Sequence, residues 1–82
     1  MKASASIRLR FPSEKERRVV FEALVPETKV ATTRSKATLM KDDKDLVLNI
    51  EANDTVALRA ALNAYLRWVV SIVNVLQVLN TY

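Results

Sequence analysis

The side chains that could carry a reaction are few. Asp42, Asp43 and Asp45 put three carboxylates close together, and a carboxylate pair can do acid–base work. Here they are interleaved with Lys41 and Lys44 among turn-forming residues, which is the composition of a solvated loop. The chain has no His and no Cys. It therefore lacks the commonest general base, the usual nucleophile partners, any disulfide and the usual zinc ligands. Gly is absent too, so no glycine-rich phosphate loop can form. The expectation is a protein that is not an enzyme and holds neither metal nor cofactor.

The remaining chemistry is that of contact. Lys plus Arg is 13 against 9 for Asp plus Glu, a net charge of +4, and the first eighteen residues are the most basic part. Arg8, Arg10, Arg34 and Lys36 are the candidates for contact with the phosphates of a nucleic acid. No aromatic residue lies among the outward positions that accompany them, Ser4, Ser6 and Thr38, so base stacking is not expected there. Arg59, Asn63 and Arg67 are polar positions on an otherwise greasy C-terminal segment.

These residues need elements to position them. Ala3, Ala5, Ile7, Leu9 and Phe11 alternate with Lys2, Ser4, Ser6, Arg8 and Arg10, the period of a strand with one buried face. Pro12 stops it, and Ser13 with Glu16 forms a capping box for a helix over 14–25. The core side of that helix is assigned to Val19, Val20, Ala23 and Leu24, and Pro26 is expected to end it. Phe21 and Val25 then project away from the sheet, so that Phe21→Asp leaves folding nearly unchanged. Residues 33–41 and 45–52 alternate as a hairpin around Asp42-Asp43-Lys44.

Asp54 caps a long helix from Thr55 to about Leu79. Leu58, Leu62, Tyr65, Val69, Ile72, Leu76 and Leu79 recur at steps of four and three, a heptad stripe. Ala57, Ala61, Ala64, Trp68 and Val75 lie beside it, and Leu66, Val70 and Val73 lie beyond its other edge. This apolar band is about twice the roughly 100° that one sheet face requires.

The order is β-α-β-β-α, an α+β fold over 1–82 read as a single dimerisation and scaffold domain. A right-handed first crossover gives sheet order 1-3-2 with both helices on one face. A chain of 82 residues builds a small core, and association with another chain is the remaining route to added stability. The bare edge of strand 1 would join its mate into a six-stranded sheet, through Ser4, Ser6, Ile7 and Arg8, while Trp68, Ile72, Val75 and Leu79 meet across the two-fold axis. Phe21, Val25, Arg59, Asn63, Leu66, Arg67, Val70 and Val73 are the candidates for docking a second protein. Met1 to Ser6 is polar and no apolar run follows. The longest uncharged stretch, Trp68 to Tyr82, is shorter than the ~20 residues of a membrane span. A soluble, cytoplasmic chain without membrane contact is expected.

Two runs carry a resemblance. Arg34-Ser35-Lys36-Ala37-Thr38 is followed by Ile50 to Trp68, within which an acid, Asp54, precedes Ala57-Leu58-Arg59-Ala60, Leu62-Asn63 and Leu66-Arg67. This resembles the small dimerisation subunit of the archaeal and eukaryotic KEOPS (EKC) complex, the polarity and chitin control / cancer-testis antigen family. The resemblance implies a homodimer whose halves each hold one copy of the catalytic threonylcarbamoyltransferase subunit. That assembly makes threonylcarbamoyladenosine beside the anticodon of tRNAs reading ANN codons. It also implies that the small subunit is not the catalyst, and that Arg59, Asn63 and Arg67 are functional polar residues. The competing reading from the residues is a free-standing transcription or RNA-binding module that uses the basic sheet face.

Overall fold

A computed structural model describes residues 2–29 and 34–81, with side chains described as far as 78. Its elements are β1 (Ala3–Arg10), α1 (Glu14–Thr28), β2 (Ser35–Asp42), β3 (Asp45–Ala52) and α2 (Thr55–Thr81). The sheet order is β1-β3-β2, and both pairings are antiparallel. The expected fold class, element order and strand order are all present. Residue 33, expected at the start of β2, lies outside the described residues.

The hairpin is tighter than expected. Asp42 pairs with Asp45, so it belongs to β2, and Asp43-Lys44 alone makes the turn. Asp43 sits at φ 56°, in the left-handed region that Asp tolerates better than most residues.

Register fixes the two faces of the sheet. On one face lie Ala5–Ile50–Ala37 and Ile7–Leu48–Leu39, with Leu9–Leu46 beyond them. Leu46, Leu48 and Ile50 are fully buried under the helices. Leu58, Ala61, Leu62 and Tyr65 pack over Ala37, Leu48 and Ile50, while Val69 joins Val20, Leu24 and Leu46 in a second cluster. The heptad stripe read from the sequence is thus the side of α2 that meets the sheet.

Helix termini follow the local chemistry. The Ser13 hydroxyl accepts from the Glu16 amide at 3.1 Å, and Asp54 Oδ1 accepts from the Ala57 amide at 2.7 Å. Pro26 does not end α1, contrary to expectation; the helix runs on to Thr28. In the last turn a missing amide removes a single ladder bond. The Thr28 hydroxyl donates to the Val25 carbonyl at 2.7 Å, and the Lys29 amide donates to the Pro26 carbonyl at 3.2 Å, closing the end.

The phase of α1 also differs from the sequence reading. Val20 and Leu24 are buried as expected, but Ala23 is exposed and Phe21 packs against the Val20–Leu24–Leu46 cluster. In this rotation Arg17 donates to the Lys44 carbonyl at 3.0 Å and joins the first turns of the helix to the hairpin. Lys41, on the helix side of β2, places its ammonium 4.5 Å from the centre of the Phe21 ring, a cation–π contact. Phe21 therefore does not project away from the sheet. Phe21→Asp is expected to lower the melting temperature clearly, because it sets a carboxylate against the core. Thermal denaturation followed by circular dichroism checks this.

At about 1.5 Å per residue, the 27 residues of α2 span roughly 40 Å, against roughly 26 Å for an eight-residue strand. The helix outruns the sheet past Val73 and gives the molecule its 47 Å long axis. Residues Thr55–Val78 are also long and apolar enough to cross a membrane by length and composition alone, a property that the uncharged run 68–82 did not reveal. Arg59 and Arg67 interrupt that segment, and one side of it packs on the sheet.

Candidate partner-binding surfaces

The first surface is on α2. Asn63, Leu66, Arg67, Val70 and Ser71 line a shallow depression of about 590 Å³ on the side turned away from the sheet. The structure thus brings together four of the residues expected to dock a partner. Arg59 is exposed one turn before Asn63 on the same helix. Val73 is not part of this surface; it is half-buried against the core. Phe21 packs in the core and Val25 is half-buried on α1, so neither joins the depression.

A second pair of depressions lies between α1 and α2. Trp68 and Ile72 face Ala23, Leu24 and Glu27 across one of about 220 Å³. Ile72, Val75 and Leu76 face Val19 across another, of about 330 Å³, whose lining is wholly apolar except for Ser71. Trp68 is held edge-on to Tyr65, with ring centres 5.7 Å apart, and the Tyr65 hydroxyl donates to the Glu27 carbonyl at 3.2 Å. That bond ties α2 to the end of α1. Burial, with the nearby Glu27 charge, moves the Tyr65 phenol above its ordinary pKa, so it stays a donor at neutral pH.

Ser71 lines all three depressions, and the sequence analysis did not single it out. The signal was present: Ser71 is one further step of four from Asn63 and Arg67. Leu79 lies beyond the described side chains.

The exposed apolar surface is concentrated here. Trp68 is 42% exposed, Val70 57%, Val75 59% and Val78 57%. Val56, at 69%, and Met40, at 53%, are the other large exposed hydrophobics among the described residues, at the start of α2 and on β2.

The third surface is the open face of the sheet. Register stacks it in rows: Ser4–Glu51–Lys36, Ser6–Asn49–Thr38, Arg8–Val47–Met40 and Arg10–Asp45–Asp42. Ser4, Ser6 and Arg8 share this face, whereas Ile7 points to the helix side, as alternation requires. All four lie along β1, whose outer edge pairs with no strand among the described residues.

Asp45 does not belong to a solvated loop. Its side chain is 6% exposed at the root of β3. Arg10 Nε donates to Oδ1 at 3.0 Å and Arg8 Nη1 to Oδ2 at 3.1 Å. Arg8 Nη2 also donates to Asp42 Oδ2 at 2.7 Å. The Arg10 bonds first, and those of Arg8 next, hold the Asp45 carboxyl below the usual carboxylate range. Two of the four candidate nucleic-acid residues, Arg8 and Arg10, are therefore ion-paired; Arg34 and Lys36 stand exposed at the opposite end.

The pH consequence has a definite sign. A carboxyl whose folded pKa is depressed contributes stability above its unfolded value, about 3.9, and loses it as pH falls through the lower folded value. Asp45→Asn is expected to melt below the wild type at pH 7, with the gap closing under acid conditions below the ordinary Asp range. Melting temperatures of both proteins between pH 7 and pH 2 check this.

Comparison with known proteins comes down on one family. The profile described as "Transcription factor Pcc1" matches residues 4–77. The KEOPS complex subunit Pcc1 of Pyrococcus abyssi (strain GE5 / Orsay) is 35% identical over 78 residues, covering 94% of this chain and 95% of that protein. A solved structure, "Crystal structure of binary complex Gon7-Pcc1", contains a chain that superposes with a TM-score of 0.81, covering 94% of this chain and 95% of the other. At 14% identity, that last likeness speaks for the fold alone. With the profile and the archaeal relative both matched along almost their whole common length, this chain belongs to the Pcc1 family.

Proposed function

We propose that this chain is a non-catalytic dimerisation and scaffold subunit of a KEOPS-type assembly that makes threonylcarbamoyladenosine in tRNA. The observation that carries the proposal is the apolar surface left on α2 by a folded chain: Trp68, Val70, Val75 and Val78 stand exposed on the helix, Val70 in the depression with Asn63 and Arg67. An assembly subunit has a use for such a surface. The name of the archaeal relative, a KEOPS complex subunit, agrees with this reading.

The proposed division of labour follows the geometry. Two copies join along β1 through Ser4, Ser6, Ile7 and Arg8, with the overhanging α2 segments meeting through Trp68, Ile72, Val75 and Leu79. The catalytic threonylcarbamoyltransferase subunit docks on the depression lined by Asn63, Leu66, Arg67 and Val70, extended by Arg59. tRNA meets the open sheet face, and the site of action is the cytoplasm.

The free-standing nucleic-acid module is weakened by one finding. Arg8 and Arg10, half of its basic face, are already engaged by Asp42 and Asp45. Co-expression with the catalytic subunit of the same organism, followed by size-exclusion chromatography, tests the proposal. A stable co-eluting complex is expected. Separate elution of the two proteins at micromolar concentration would overturn it.

A further inference from the structure

The open sheet face is electrically divided. At the hairpin end, Arg8 and Arg10 stand with three carboxylates, Asp42, Asp43 and Asp45. At the other end, Lys2, Arg34 and Lys36 stand around a shallow depression of about 140 Å³ with one carboxylate, Glu51. The two ends differ in geometry as well as in charge. Both oxygens of Asp45 are committed to guanidinium groups. Its side chain is 6% exposed, so an arriving anion meets the more exposed Arg8 and Arg10 side chains with the carboxylate already bonded to them. A phosphate needs the same planar fork of N–H donors that a carboxylate occupies.

We infer that Asp42 and Asp45 mask Arg8 and Arg10 from nucleic-acid phosphates, confining the footprint of RNA on this face to the end marked by Lys2, Arg34 and Lys36. The inference rests on the proposed tRNA contact of the open face, the face to which Arg8 projects even where β1 forms the proposed seam between two copies. Its physical content is a competition. The intramolecular carboxylates are permanently present at the arginines, while an RNA phosphate must displace them and lose its own hydration and counterions. The mask lets a strand of formal basic residues coexist with a surface that does not hold polyanions along its full length.

The test is a salt series of anisotropy titrations with a fluorescein-labelled tRNA transcript. The wild type is compared with Asp42→Asn, with the double variant Asp42→Asn/Asp45→Asn, and with Asp43→Asn. Each single variant changes net charge equally, but Asp43 takes part in none of the ion pairs among the described residues. Unmasking two guanidiniums adds up to two phosphate contacts. The slope of log K against log salt should then steepen by about 0.9 for each contact, with a gain of roughly tenfold in affinity at low salt. Asp42→Asn should give part of that gain, Asp43→Asn almost none. Adding Arg8→Gln and Arg10→Gln to the double variant should cancel the gain.

Asp42 is exposed, so its variant remains informative if loss of the buried Asp45 impairs folding. Equal effects of Asp42→Asn and Asp43→Asn would reduce the result to net charge and overturn the mask, as would an unchanged slope in a folded double variant. Absence of wild-type binding with a gain in the Asp42 variants would remove the tRNA role of this face and leave the mask standing.

Discussion

Leu48→Ala should leave a protein with little or no cooperative melting transition at physiological temperature. Leu48 is fully buried at the centre of β3, the strand that pairs with both others. It lies between Ile7 and Leu39 in register and packs in one cluster with Leu58, Ala61, Leu62 and Tyr65. Removing a buried Leu side chain costs about 2–5 kcal/mol. A core of this size supplies only ~3–5 kcal/mol in total. At roughly 4–8 °C per kcal/mol for a domain of this length, the melting temperature should fall by at least about 8 °C. Leu62→Ala, at a half-buried position, should cost less than Leu48→Ala. A fall of less than about 4 °C for Leu48→Ala would show that this cluster is not where the stability resides.

The second large effect concerns assembly. Arg67→Glu should abolish or severely weaken docking of the catalytic subunit while the fold and the homodimer persist. Arg67 is exposed on α2, at the depression that also includes Asn63, Leu66 and Val70. Its neighbours offer apolar area and it offers a fork of donors, the combination that marks interface anchors. Reversal of a charge at such a position is expected to cost at least about 2 kcal/mol of binding, roughly thirtyfold or more in Kd. Surface changes away from core or cap alter stability by only about 0.5 kcal/mol, so the melting temperature should hold nearly constant. Isothermal titration calorimetry against the catalytic subunit measures the first quantity. An unaltered Kd would remove Arg67 from the interface.

Much of this was legible in the residues. The strict alternation of β1, β2 and β3 fixed which side chains share a face, and chirality of the first crossover then allowed the order β1-β3-β2. The stripe from Leu58 to Leu76 was clear because α2 is long enough for its period to repeat several times. The width of its apolar band foretold the exposed Trp68, Val70 and Val75.

Other features depended on contacts distant in sequence. In α1, Val19, Val20, Phe21, Ala23, Leu24 and Val25 are apolar on several sides, so a phase chosen from periodicity had no clear winner. The observed phase buries Val20 and Leu24 completely and is accompanied by Arg17 reaching Lys44 and Lys41 covering Phe21, both across elements. Asp45 read as a turn acid because its partners lie 35 and 37 positions away. Only the register, Arg10 opposite Asp45, makes it the anchor of an ion-pair cluster. Pro26 obeyed its usual rule weakly because it fell in the last turn, where the helix had little left to lose. The depression on α2 gathers Asn63, Leu66, Arg67 and Val70, all singled out from the sequence, together with Ser71, which lines three depressions and was not singled out.

The proposal as a whole depends on α2 carrying more apolar surface than one chain can cover. Size-exclusion chromatography with multi-angle light scattering, on the purified chain at micromolar concentration, measures that most directly. Twice the chain mass, falling to the single-chain mass when Val75 is replaced by Asp, is the result expected of a subunit that pairs through its overhanging helix. A monodisperse single chain, soluble and folded at every concentration tried, would contradict it.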